Sequence, residues 1–376
     1  MRRASVFFTS LLAAGLLSAC SGTTEATSTG ITATPCAGAI GVMLPYTGTS
    51  QLDTVQMNWA RVSLDNFNRV HGTSFSIVPQ NVDHDAAVAA AGAETLAQNK
   101  KVVGVVGPST SVAVAAAGPV LGAAGLAYVS PSATRAALTD GSLSGFYRVV
   151  ANDSIQGPTV ADFVASSLHP NNVLVVSDPE AYSQALTDSI TSSLTSQGVK
   201  VSKITIPLDR PDPNAVLEAI TSNTNVVVLA LLQPTDGQTI ANSIAVHGLH
   251  PAILATDSMF DLNTFDVPGA YVSTFAPDLS TVAGGNNLVR LYKEIFGDLA
   301  PYGGPSYVAM QVVLTAALDS CKGGVATRAG VSSTIGNIHL ENTILGQSVA
   351  FDAHGDVKNG KFYIYRIEGG NFVPQN

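Results

Sequence analysis

Residues 102–134 read VVGVVGPSTSVAVAAAGPVLGAAGLAYVSPSAT, and this stretch decides the fold. It is uncharged from Val102 to Val129 and would pass for a membrane span on hydropathy alone. The Gly107-Pro108-Ser109-Thr110-Ser111 turn and the Gly118-Pro119 pair interrupt it. A strand at Val102–Val106, a turn, a helix at Val112–Ala124 and a strand at Leu126–Ser130 account for it better than one long helix. The same alternation runs outward in both directions. Upstream lie strand Ala39–Leu44, a helical stretch Gln51–Val70 with Val55, Trp59, Val62 and Phe67 on one face, strand Ser74–Val78, and an Ala-rich helix Asp85–Gln98. Downstream the pattern restarts after Tyr147–Val150. Helices at Ser154–Leu168, Ser183–Gln197, Pro213–Ser222 and Asp236–His247 alternate with strands at Val173–Ser177, Val199–Ile206, Val226–Leu232 and Ala252–Ala255. Strands alternating with helices imply a parallel sheet covered on both faces. Two such series imply two doubly wound lobes, with ligands expected beyond the carboxyl ends of the strands, across one cleft.

Composition agrees. The 376 residues are enough for roughly two domains of about 150. With 46% apolar and only 12% charged residues, the chain can bury sizeable cores and does not read as disordered. A net charge of −9 with no basic cluster after Arg2 and Arg3 argues against a nucleic-acid partner.

The first residues read as an export signal. Arg2 and Arg3 precede an apolar run, Ala4–Leu17, that is short for a bilayer span. Leu17-Ser18-Ala19-Cys20 then looks like a bacterial lipobox. Residues 1–19 are read as a lipoprotein signal peptide and Cys20 as the lipidated first residue. Ser21–Pro35 is rich in Ser, Thr, Gly and Ala and reads as a flexible tether, so that residues 20–36 link lipid to folded body. Cleavage removes two arginines and lowers the net charge from −9 to −11. The expected location is extracytoplasmic, with the protein anchored to the bacterial cell membrane.

Two turns carry candidate chemistry. Gly107-Pro108-Ser109-Thr110-Ser111 opens into a helix whose free N–H groups attract anions, so a carboxylate could dock there; N-capping by Ser109 or Ser111 is the plainer alternative. Ser130-Pro131-Ser132-Ala133-Thr134 places two hydroxyls and exposed amides after the next strand, and on its own reads as an ordinary turn. The first turn lacks G-x-G-x-x-G and the P-loop lysine, no G-x-S-x-G elbow exists, and no nucleophile with an adjacent base can be constructed in the cleft. Cofactors, metals and catalysis are therefore not expected. Asp83-His84-Asp85 reads as a helix cap rather than a metal site, and His247 and His250 straddle Gly248 at a helix end. Trp59 reads as core packing.

With these pieces in order, the chain resembles the leucine/isoleucine/valine-binding proteins of ABC importers. Val105-Val106-Gly107 through Ser111, Ser130 to Thr134, Leu138-Thr139, Ser177-Asp178, Tyr182, Pro234 to Gly237, Tyr307-Val308-Ala309 and Phe351 to Asp356 carry the likeness, which spans residues 37 to about 370. The resemblance implies the type I periplasmic binding protein fold: two doubly wound parallel-sheet lobes joined by three hinge crossings, near Asn152, Asp278 and Lys361. Residues 37–152 and 279–361 would form lobe 1, and 153–278 with 362–376 lobe 2. It also implies site roles. Ser111 would hold an amino-acid carboxylate, and Ser132 and Thr134 would supply backbone groups and a hydroxyl near the ammonium. Tyr182 would close over the ligand, and Asp257 would pair with the ammonium. The sequence departs from the family at Leu232, where an aromatic is frequent, at Ser183, where glycine is usual, and in a short first loop, Tyr46–Gln51. Asp257 is also a methylene shorter than glutamate. These changes reshape the side-chain pocket.

Within that architecture helices run antiparallel to strands, so the helix Pro305–Ser320 should end on the side far from the cleft, where Cys36 precedes the first strand. A Cys36–Cys321 disulfide is expected, permitted by export. The function implied is capture of a small polar ligand, an amino acid, for an ABC permease and ATPase. The alternatives are a ligand-sensing lipoprotein of the same fold and a binder of amides or aromatic acids.

Overall fold

The structure is a computed structural model that describes residues 34–47, 52–208, 210–282, 285–297 and 302–375. The signal peptide, Cys20, the tether up to residue 33 and residues 48–51 of the first loop lie outside the described residues.

The first half alternates as expected: β1 (Ala37–Leu44), α1 (Leu52–His71), β2 (Ser74–Asn81), α2 (Ala86–Gln98), β3 (Val102–Val106), α3 (Ser111–Ala123), β4 (Tyr128–Ser130) and β5 (Phe146–Arg148). These strands form one sheet in the order β2-β1-β3-β4-β5, parallel throughout. Strand β1 displays the two-residue period of a sheet covered on both sides. Ile40, Val42 and Leu44 join one core layer, and Ala39 and Met43 the other. The uncharged run 102–129 thus becomes strand, helix and strand, and among the described residues no helix is long and apolar enough to cross a membrane.

The second series is α4 (Asp153–Phe163), β6 (Asn172–Ser177), α5 (Ala181–Ser196), β7 (Lys200–Thr205), α6 (Pro213–Ala219), β8 (Thr224–Ala230), α7 (Pro234–Val246), β9 (Ala252–Ala255) and β10 (Tyr271–Thr274). The chain then runs through α8 (Gly285–Phe296), α9 (Gly303–Asp319), α10 (Arg328–Thr334) and a short ribbon of β11 (His339–Leu340) and β12 (Val349–Ala350), and ends with β13 (Tyr363–Glu368) and β14 (Asn371–Gln375). The second sheet has the order β14-β13-β10-β9-β8-β6-β7. Its body is parallel, but β13 and β14 are antiparallel additions at one edge. The expected parallel-sheet lobes are thus present, with this antiparallel pair as an addition at the edge of the second. The tight Gly369-Gly370 turn, with both residues at positive φ, makes a hairpin possible, and Pro374 is tolerated because β14 is an edge strand.

Helix α9 packs on α1, β3 and β4 of the first sheet, so the segment after β10 returns to the first core before β13 rejoins the second. Trp59 lies fully buried in that first core, stacked on Tyr292 at 4.5 Å between ring centroids. Cys36 and Cys321 are disulfide-bonded, with Cα atoms 6.2 Å apart. Asp85 caps α2, its carboxylate accepting from Ala87 and Val88 N–H, and Asn152 caps α4.

Candidate functional site

The carboxyl ends of both sheets open onto one cavity of about 520 Å³. From the first sheet its wall takes Pro45 after β1, Asp83 and His84 after β2, Ser109 to Ser111 after β3, and Ser132 after β4; α1 adds Gln56. From the second it takes Tyr182 at the start of α5, Leu232 to Thr235 after β8, Asp257 and Ser258 after β9, and Asp261, Asn263 and Thr264 beyond them. Tyr302, just before α9, completes it.

The first rim is shaped by Gly107. Its φ is +93°, and a Cβ there would fall 2.3 Å from the Met43 carbonyl oxygen, so only glycine lets β3 turn so close to β1. Helix α3 then begins at Ser111 with Thr110 as N-cap, its hydroxyl accepting from Ala113 N–H. Neither Ser109 nor Ser111 is the cap, because the helix starts one residue earlier than the apolar pattern suggests. Both serines are left for other work. The Ser111 hydroxyl oxygen accepts from Arg135 N–H at 3.2 Å and keeps its own proton to donate. The Ser109 hydroxyl is buried with no protein partner.

The second rim is tied down before any ligand arrives. Ser130 Oγ donates to the Pro108 carbonyl at 2.6 Å and accepts from Ala133 N–H at 3.0 Å. Ser132 Oγ donates to the Ser109 carbonyl at 2.8 Å and accepts from Gln56 Nε2 at 2.9 Å, so its hydroxyl is occupied. Below the rim, Arg148 is fully buried. It donates to the carbonyls of Ala133 (3.1 Å) and Arg135 (2.9 Å) and to the Thr139 hydroxyl (2.8 Å), and it pairs through Nε with Asp356. Thr134 does not line the cavity. It lies one layer behind it, its carbonyl accepting from Asp153 N–H and its hydroxyl favouring the ionised Asp153 carboxyl.

On the opposite face Asp257 is 5% exposed. Its Oδ1 accepts from Tyr182 OH at 2.8 Å and from Gln156 Nε2 at 2.7 Å, while Gln156 also donates to Ser273 Oγ at 2.8 Å. The Tyr302 hydroxyl donates to the Asp257 carbonyl. Burial pushes the Asp257 carboxyl up to about 6, with the Tyr182 and Gln156 hydrogen bonds working against it. Burial, and then the charge of Asp257, push Asp153 up to about 8. Tyr182 is raised well above the ordinary phenol, chiefly by burial.

Of the five residues read from the sequence, Ser111, Ser132, Tyr182 and Asp257 meet in this cavity, and Thr134 stands behind it. Sequence reading missed Gln156, Tyr302 and Arg148, and took Ser109 only as part of the first turn. Gln156 and Arg148 carry no local motif. Tyr302 sits at positive φ (71°) in front of Gly303-Gly304, a breaker pair that could have marked a special turn. The chemistry of the cavity is polarised: hydroxyl donors and a helix N-terminus on one side, a buried carboxylate on the other.

A sequence model of the family described as periplasmic binding protein matches residues 39–371. An amino acid binding protein of Pseudomonas aeruginosa is 25% identical over 339 residues, covering 87% of this chain and 89% of that one. A Leu/Ile/Val-binding protein of Rhizobium johnstonii is 26% identical over 354 residues, covering 89% and 92%. Among solved structures, the branched-chain amino acid transporter substrate binding protein LivJ from Streptococcus pneumoniae, in complex with isoleucine, superposes with a TM-score of 0.80 at 21% identity, over 90% of this chain and 99% of that one. That likeness establishes the fold.

Proposed function

We propose that this chain, which belongs to the periplasmic binding protein family, captures an amino acid outside the cytoplasm and presents it to an ABC permease and its ATPase. The observation that carries the reading is Asp257. A carboxylate this buried, facing the donors of Ser109, Ser111 and the α3 N-terminus across one cavity, suits a zwitterion. Burying either end of a zwitterion unpaired would cost several kcal/mol, so the two walls recognise it together. The ligand carboxylate docks on Ser111 and the first N–H groups of α3. Asp257 takes the ammonium, held ionised by Tyr182 and Gln156. Tyr182 covers the ligand, Ser132 contributes backbone groups, and Thr134 acts through Asp153.

The lobes we assign are residues 37–152 with 279–361, and 153–278 with 362–376. The return of α9 to the first core and of β13 to the second sheet supports this division. Ligand contacts on both lobes make closure about the three crossings depend on ligand. We further propose that Cys20 carries the lipid that holds the protein at the membrane, as the Leu17-Ser18-Ala19-Cys20 sequence suggests. Cys20→Ala should then move the protein from the membrane fraction to the soluble one, and unchanged membrane association would remove the anchor.

A thermal-shift panel tests the ligand class, run after partial unfolding strips any carried-over molecule. A ligand that binds only the native state raises the melting temperature with its concentration. Shifts with amino acids, and not with benzoate or acetamide, support the reading. Shifts with benzoate or acetamide alone would leave a binding protein whose Asp257 has another task.

A further inference from the structure

The cavity holds more carboxylate than a zwitterion needs. Asp257 alone balances one ammonium. Asp83 and Asp261 line the same space, and among the described residues no lysine or arginine does. The two come from opposite walls: Asp83 follows β2 of the first sheet, and Asp261 follows β9 of the second. Asp261 is only 1% exposed and is fixed in place, accepting from Asn263 N–H at 3.1 Å and from the Thr264 hydroxyl at 2.6 Å. Asp83 has the His84 imidazole 3.2 Å away, the only basic side chain in the described wall. The aliphatic side chains of the wall are Pro45, Leu232 and Pro234, and the Tyr182 and Tyr302 rings add further apolar surface against which the stem of a long side chain can lie.

A branched aliphatic side chain placed here would strip water from Asp83 and Asp261 without supplying them a partner. A cationic side chain would replace that water with charge-assisted hydrogen bonds. The Ser109 hydroxyl is a separate indication of a polar guest, since it is more than nine-tenths buried in the wall and lacks a protein partner. The volume of about 520 Å³ also leaves room for a long side chain.

We infer that the ligand is an α-amino acid with a cationic side chain, of the lysine, ornithine or arginine class, whose second positive charge lies between Asp83 and Asp261. The inference rests on the amino-acid reading above.

Isothermal titration of the purified full-length protein with L-arginine, L-lysine, L-glutamine and L-leucine tests it, with benzoate as a further arm. Arginine or lysine is expected to bind at least about tenfold tighter than leucine. That affinity should drop several-fold between 20 and 200 mM salt while glutamine's stays level, since only the former gains from the field of the extra carboxylates. Asp261→Asn keeps an oxygen for the local turn, and Asp83→Asn alters a half-exposed side chain. Each should cost arginine about tenfold and glutamine little. Leucine binding with arginine silent would overturn this inference and leave amino-acid capture standing. Benzoate binding with every amino acid silent would overturn both. Equal losses for arginine and glutamine in both variants would assign the two aspartates to the fold and overturn the inference.

Discussion

At the scale of single residues, the cleft works because a few side chains are held in states they would not adopt in water. Asp257 is pushed up to about 6 by burial and kept within reach of ionisation by Tyr182 and Gln156. In the ammonium role proposed for Asp257, replacing it by alanine removes the acceptor. Affinity for amino acids should fall by about a hundredfold or more, near 3 kcal/mol, while neutral amides lose far less. Equal losses in calorimetry would take Asp257 out of the ammonium role. The same carboxyl sets a pH limit. As pH drops through about 6 it protonates, so amino-acid affinity should weaken at pH 5 relative to pH 7.5. Gly107 is a residue of a different kind, needed for what it lacks. Gly107→Ala would place a methyl on the Met43 carbonyl at a positive φ, and urea unfolding should show a loss of about 2 kcal/mol or more.

At the scale of elements, the rims are braced from beneath. Arg148 ties the turn after β4 to Asp356, far along the chain. Arg148→Met would leave two carbonyls and a carboxylate without their cation, at about 3–5 kcal/mol. The start of α4 carries a second perturbed carboxyl, Asp153, raised to about 8, beside Asp257, raised to about 6. Both lie above the ordinary 3.8, so between about pH 4 and 8 the folded state binds more protons than the unfolded one. Stability from these groups is fully present below their unfolded pKa and is lost as pH rises through the folded values. The ligand-free protein should therefore melt higher at pH 5 than at pH 8, opposite to the trend in amino-acid affinity. Asp153→Asn should flatten the upper part of that slope, and an unchanged slope would show that Asp153 titrates normally.

At the scale of the whole molecule, the Cys36–Cys321 bridge spans 285 residues and fixes the N-terminal end of β1 to the segment just after α9. Constraining so long a loop in the unfolded chain stabilises the fold by up to about 5 kcal/mol. Reduction under native conditions should lower the denaturation midpoint by a corresponding amount, without changing ligand selectivity, because the bridge lies away from the cleft. An altered selectivity on reduction would mean that the two ends of the first sheet communicate.

The sequence by itself determined the element order and the position of the cleft. Hydrophobic runs of strand length alternating with helical faces leave few arrangements open, and parallel sheets place ligands at their carboxyl ends whatever the loops contain. Tyr182 and Asp257 were legible as cleft residues through the family likeness rather than through any local signal, but their hydrogen bond to each other was not. Only the tertiary structure decided which hydroxyls are free. Ser111 and Ser132 look alike as sequence, yet one retains a proton to donate and the other is spent on Ser109 and Gln56. It alone brought Gln156 and Tyr302 onto Asp257 and moved Thr134 behind the wall. The physical reason is the same in each case. Backbone pattern is set by local periodicity, whereas burial and the pairing of polar groups depend on residues far apart in the chain, from 23 positions for Ser109 and Ser132 to 101 for Gln156 and Asp257.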